Sequence, residues 1–184
     1  MKKTAIALAV GLASLSTAAV ADTTPSYDYA SATYVYFDFD GGNIDGFSLD
    51  FSRSFSDSVF GEVDYLRMSD GFTSERVNLQ LGYAHTLNGN LDLVATGGLS
   101  HEKHSANIYS YSDTGFVGTA GVRSRITSQF EAGAAVEYYN FDEGTTDFTV
   151  YGRYYFLPNL SANATYILTD DSDNVYQVGV SFHF

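Results

Sequence analysis

Residues 176–184 read Tyr-Gln-Val-Gly-Val-Ser-Phe-His-Phe. Every second residue, Tyr176, Val178, Val180, Phe182 and Phe184, is apolar or aromatic. The residues between them, Gln177, Gly179, Ser181 and His183, are polar or small. Successive side chains on a strand point to opposite sides, so this alternation describes a strand with one greasy and one polar face. It runs to the last residue of the chain on an aromatic side chain.

The same period of two recurs upstream. Val35, Phe37 and Phe39 alternate with Tyr36, Asp38 and Asp40; Phe47, Leu49 and Phe51 with Ser48, Asp50 and Ser52; Val63 and Tyr65 with Glu62 and Asp64. Further along, Val77–Ala84, Leu91–Thr96, Phe116–Arg123, Phe130–Tyr138, Phe148–Phe156 and Leu160–Leu168 repeat it. This makes ten segments, each about the 9–11 residues a tilted strand needs to cross a bilayer; eight is the alternative count. Tight connections at 56–58, 88–90, 127–129 and 157–159 alternate with longer ones, above all His101–Asp113. Short turns on one side and longer loops on the other are expected of a membrane barrel, and an even strand number puts both termini on the short-turn side.

Composition narrows the class. Residues 1–21 carry Lys2 and Lys3, a short apolar run and Ala19-Val20-Ala21, the layout of a secretory signal peptide. Cleavage there would leave 22–184 as one domain, with Asp22–Ser26 a short leader. It removes two lysines and no acid, so seven basic residues face 22 acids, a net charge of −15. Such a surface excludes nucleic acid binding, which needs positive charge to meet phosphate. With no cysteine, neither a disulfide nor a thiol metal site is available. Charged residues make up 17% of the chain, against roughly 25–35% for a soluble surface. Tyr and Phe number 15 and 14. Something other than charge must cover one face.

Three features put the apolar face outward, against lipid. Aromatics sit near both ends of the apolar faces, as in Phe130 to Tyr138 and Phe148 to Phe156, and rings favour the membrane–water interface. The expected girdle comprises Phe47, Tyr65, Phe116, Phe130, Tyr138, Phe148, Phe156, Tyr166, Tyr176, Phe182 and Phe184. The polar face holds Gly82, Gly121, Gly133 and Gly179, which suit a confined lumen. Closure removes edge strands, as backbone polar groups in lipid require. The expected fold is all-β: a closed antiparallel transmembrane β-barrel of about ten strands. With its closing aromatic strand, its signal peptide and its alternation, the mature chain resembles the small outer-membrane β-barrel proteins of Gram-negative bacteria, in the porin-like superfamily. The resemblance implies outer-membrane localisation, contact with outer-membrane lipids and lipopolysaccharide, and recognition of the C-terminal strand by the barrel assembly machinery. It also implies a monomer. Because Phe184 ends the chain, no appended peptidoglycan-binding domain is expected.

The inward face carries the candidate chemistry: Asp50, Glu62, Asp64, Arg123, Glu131, Glu137 and Arg153. Mirror pairing about Asp57 sets Asp50 opposite Asp64 and Glu62 opposite Ser52, and like charges directly opposite are destabilising. Arg153, across the barrel at similar depth, is expected to reach this cluster. Pairing about Thr127 sets Arg123 against Glu131. One reading is an interior ion-pair network filling a narrow barrel, since buried charges are normally paired. Another is a wet acidic passage that prefers cations, since carboxylate rings select them.

Catalysis is the weaker reading. Some outer-membrane barrels are proteases or lipid A-modifying enzymes, but their Asp/His or His/Ser sets lie near a rim, and these acids lie deep. His101-Glu-Lys-His104 has the wrong spacing for a helical zinc site and reads as loop; His85 and His183 lack an evident partner. The acidic stretches 38–45, 141–147 and 169–174 offer oxygen ligands for a weak divalent cation site, though Asp, Asn and Gly are favoured in turns for backbone reasons. No metal, cofactor or enzymatic activity is assigned. Arg67, outward near one rim, is placed to meet a lipopolysaccharide phosphate, and Arg53 to snorkel at the other. The expected function is a structural or narrow pore-forming envelope protein. The alternative is an adhesin or receptor acting through its loops, with Tyr109 and Tyr111 as anchors.

Overall fold

A computed structural model describes residues 24–106, 109–141, 144–170 and 173–184. The expected signal peptide, 1–21, lies outside them, as do 142–143 and 171–172 of two acidic loops. Ten strands follow in order: β1 (Tyr29–Phe39), β2 (Gly42–Ser54), β3 (Val59–Ser69), β4 (Thr73–Asn88), β5 (Leu91–Ala106), β6 (Tyr109–Arg125), β7 (Phe130–Asn140), β8 (Gly144–Leu157), β9 (Leu160–Thr169) and β10 (Asn174–His183). Each pairs antiparallel with the next, and β1 pairs with β10 to close the barrel. Closure lets the backbone groups within the ring of ladders be satisfied without water. The Tyr29↔His183 and Ser31↔Ser181 partners bring both chain ends to one rim, here the terminus end.

The outside is apolar from rim to rim. Leu79 and Leu81 in β4 are 60% and 64% exposed, and Leu49, Leu99, Val136, Val178 and Val180 are also open. A monomer in water rarely exposes an apolar patch beyond a few hundred Å²; this one encircles the molecule. Aromatics gather toward its ends. Phe47 packs edge-on to Tyr65, and Tyr176 sits between Tyr36 and Tyr166, toward the far end. At the terminus end Phe51 stacks on Phe184 at 5.7 Å. Phe116, Phe130, Tyr138, Phe148, Phe156 and Phe182 are exposed on the same outer surface.

Three details differ from the sequence reading. In β1 the faces are reversed: Val35 is fully buried inside, while Tyr34 is 49% exposed outside. The stretch Tyr34-Val35-Tyr36-Phe37 is apolar in both registers, so its neighbours decide: Tyr34 sits opposite Phe47 of β2 and Val178 of β10, both outward. Second, connections at both ends are two to four residues long: 40–41, 70–72, 107–108, 141–143 and 170–173 against 55–58, 89–90, 126–129 and 158–159. The expected long loop at His101–Asp113 is mostly a hairpin, with β5 and β6 paired out to Ala106↔Tyr109. β6 gains its β7 partner only from Phe116↔Asn140 inward, so this hairpin projects past β7. Polar residues on both faces suit a strand that has left the membrane. Third, the four-residue β6–β7 connection places Arg125, not Arg123, opposite Glu131.

Candidate functional site: the barrel interior

The lumen has three levels. Near the terminus end lies a packed ionic layer. Glu131, wholly buried, takes Arg123 Nε at 2.8 Å and Nη2 at 3.2 Å, Arg153 Nη1 at 3.4 Å, and the Tyr155 hydroxyl at 3.1 Å. Arg123 reaches Glu131 diagonally from its position opposite Gly133, where the missing side chain leaves room for the Tyr151 ring. Arg125 lies over the Tyr155 ring at 4.0 Å and donates to the Ser128 carbonyl at 2.9 Å. Arg153 lies over Tyr29 at 4.8 Å. Two arginines on one buried carboxylate, with aromatic faces taking the remaining positive charge, is how a narrow interior accommodates guanidinium groups.

Below this layer the residues preceding β1 fold into the mouth. Arg123 Nη2 donates to the Ser26 carbonyl at 2.6 Å. Tyr27 donates to Asp92 Oδ2 at 2.9 Å and stacks on Phe60 at 4.4 Å between ring centres. Burial pushes the Tyr27 phenol well above the usual tyrosine range, so it keeps its proton and donates.

At mid-height a cavity of about 330 Å³ opens. Asp50, Glu62, Asp64 and Glu137 line it together with Gln80 and Thr165. Asp50 faces Asp64, and Glu62 faces Ser52, across the β2–β3 ladder, as mirror pairing predicts. Arg153 lines the same cavity but pairs with Glu131, not with these acids; among the described residues no ion pair involves Asp50, Glu62 or Asp64. Arg153, expected to reach this cluster, does share its cavity and acts on Asp50 through space, but its ion pair goes to Glu131, which lies directly opposite it on β7. Ser48 and Tyr29 donate at 3.4 Å to Asp50 and Glu62 instead.

At the far end Arg76 and Tyr139 separate this cavity from a second one of about 350 Å³, and both residues line both spaces. Arg76 lies 4.4 Å over the Tyr139 ring, whose hydroxyl donates to Glu137 Oε1 at 2.6 Å and accepts from Asn78 Nδ2 at 3.3 Å. Glu137 also accepts from Thr119 at 2.9 Å. Parity would have found Arg76 and Tyr139, since Arg76 precedes outward Val77 and Tyr139 shares a face with Glu137. Nothing in the local pattern announces Tyr27 or Tyr29, which lie before the recognisable alternation.

The remaining candidates find ordinary partners. His183 Nε2 meets Ser161 Oγ at 2.9 Å; Ser161 is fully buried, and neither residue lines either of the two cavities described above. His101 bonds Thr114 across the β5–β6 ladder, and His104 sits 3.5 Å from Glu102. Among the described residues no group of three His, Asp or Glu side chains is arranged to hold a metal ion. Arg67 pairs with Glu75 at 2.8 Å on the outer surface; Arg53 lies 5.4 Å over Phe184 and 3.8 Å from Asp28.

The model of a family described as outer membrane protein beta-barrel domain matches residues 5–184. Among solved structures, the NanC porin superposes with a TM-score of 0.57 at 12% identity, covering 84% of this chain and all of that one. The KdgM porin gives 0.51 at 16% identity over 84% and 99% of the two chains. The outer membrane protein OprG from Pseudomonas aeruginosa gives 0.50 at 13%, over 89% and 99%. These identities speak for the fold. No curated protein matches the sequence.

Proposed function

The chain belongs to the outer membrane protein β-barrel domain family, and from that premise we propose that it is a narrow, cation-preferring pore of the outer membrane. The termini face the periplasm and the β5–β6 hairpin faces out. One observation carries the reading: a cavity of about 330 Å³ at mid-barrel, walled by the carboxylates of Asp50, Glu62, Asp64 and Glu137, none of which forms an ion pair among the described residues. A barrel whose only task were to persist would fill this space with side chains or pair its charges. An acidic constriction attracts cations and repels anions. Two structural neighbours being named porins agrees with this reading. The buried Ser161–His183 pair gives no footing for an enzymatic role. Planar-bilayer recording tests the proposal. The purified protein should give small unitary currents with cations favoured, and the double variant Asp50→Asn/Asp64→Asn should lose most of that preference. Currents that favour anions overturn it, as does the absence of current from the folded protein both with residues 24–27 and without them.

A second reading, surface attachment, has one observation behind it. The β6–β7 ladder begins only at Phe116↔Asn140, and Tyr109, at the tip of the β5–β6 hairpin beyond it, is 66% exposed. Replacing 101–113 by a short turn should then abolish cell or surface binding while the pore currents persist.

A further inference from the structure

The segment ahead of β1 does more than lead into the barrel. Pro25 is buried, the Ser26 carbonyl accepts from Arg123 Nη2 at 2.6 Å, and Tyr27 lies stacked between the Phe60 ring and the Arg123 guanidinium, 4.4 and 4.6 Å away. Its hydroxyl is bound to Asp92, which is itself buried on β5. The segment thus crosses from its root at β1 to side chains of β3, β5 and β6. Tyr27, Phe60 and Arg123 also line the mid-barrel cavity, so these contacts make its floor.

The wall accommodates the floor. A Cβ at Gly82 of β4 would collide with the Phe60 ring, so glycine there keeps Phe60 in the lumen to receive Tyr27. The root is held separately. The Asp28 carboxylate accepts from the Ser54 backbone N–H at 2.7 Å, and its carbonyl accepts from Phe184 at 3.3 Å. Above that root, Ser26 Oγ accepts from the Asp28 backbone N–H at 3.3 Å, while the described contacts of Ser26 and Tyr27 with the barrel wall are with side chains and belong to no strand ladder. Releasing them costs no backbone pairing of the barrel.

We propose that residues 24–27 form a strap, hinged at Asp28, that closes the terminus-end mouth of the cavity and opens by leaving Phe60, Asp92 and Arg123. This rests on the pore reading for its use, and on the geometry alone for its existence. With the strap seated, solutes reach the acidic cavity only past Arg76 and Tyr139. With it released, the periplasmic mouth is open.

The chain has no cysteine, so a single reporter can be introduced cleanly. Thr165→Cys places a thiol on the cavity wall. In detergent, its labelling by a small charged methanethiosulfonate reagent is timed in three forms: full length, lacking 24–27, and carrying Tyr27→Ala. Folding of each is checked by heat-modifiable gel migration. Labelling about tenfold faster without the strap, with Tyr27→Ala in between, supports the closure. Equal rates in all folded forms overturn it, and Tyr27→Ala alone decides should the deletion not fold. Bilayer currents of the same samples keep the two proposals apart. Faster labelling with no current in any form leaves the strap and removes the pore. Equal labelling with equal cation-preferring currents removes the strap and leaves the pore.

Discussion

Glu131 and Asp64 are both acids that point into the same lumen, yet they live in opposite circumstances. Glu131 is wholly buried, with Arg123, Arg153 and Tyr155 spending their donors on it. Asp64 stands opposite another acid, Asp50, on a cavity wall with no ion pair. The first arrangement is a structural centre: one carboxylate holds two arginines, and removing it leaves both buried without their ion pair. The second tolerates like charge because the cavity leaves room for water and counter-ions. The terminus-end layer therefore ties β6, β7 and β8 to one another, while the mid-barrel wall leaves its acids without ion pairs.

Three substitutions would sharpen or break this contrast. Glu131→Gln strands two buried arginines and should cost on the order of 3–5 kcal/mol; urea unfolding from lipid vesicles measures it, and a loss under about 1 kcal/mol would mean that layer is wet and unimportant. Val136→Arg, on the lipid side of the same strand β7, should cost about 2–4 kcal/mol near the bilayer midplane. Unchanged unfolding there would mean that the apolar belt does not meet hydrocarbon. Asp64→Asn removes a like-charge cross-strand pair and should leave stability unchanged or raise it by up to about 1 kcal/mol. A marked destabilisation would show that Asp64 has a cationic partner after all and belongs with Glu131.

Most of the barrel was legible because alternation is local. In β2, β4, β7, β8 and β10 polar or small residues separate the apolar ones, and inward and outward faces fell where parity put them. β1 misled because Tyr34 through Phe37 are apolar on both faces, so parity has nothing to choose between. The β5–β6 hairpin misled for the converse reason: beyond the membrane a strand has no greasy face, and His101–Ser105 looks like loop. Arg123 pairs with Glu131 although their expected register is off by two, because an arginine side chain is long enough to reach diagonally. Arg153 was correctly placed inside, but its choice of Glu131 over the acids of the far wall depends on distances across the lumen that no alternation encodes.

By itself, then, the sequence determined that there would be strands, that they would close, and which side of nearly every strand would be greasy. Those follow from the two-residue period and from the need to satisfy backbone groups away from water. Only the folded barrel decided which charges meet, where the lumen stays hollow, and that the residues before β1 turn inward to Phe60, Asp92 and Arg123. These depend on stagger between strands and on contacts between residues far apart in the chain, which are fixed when the ring closes.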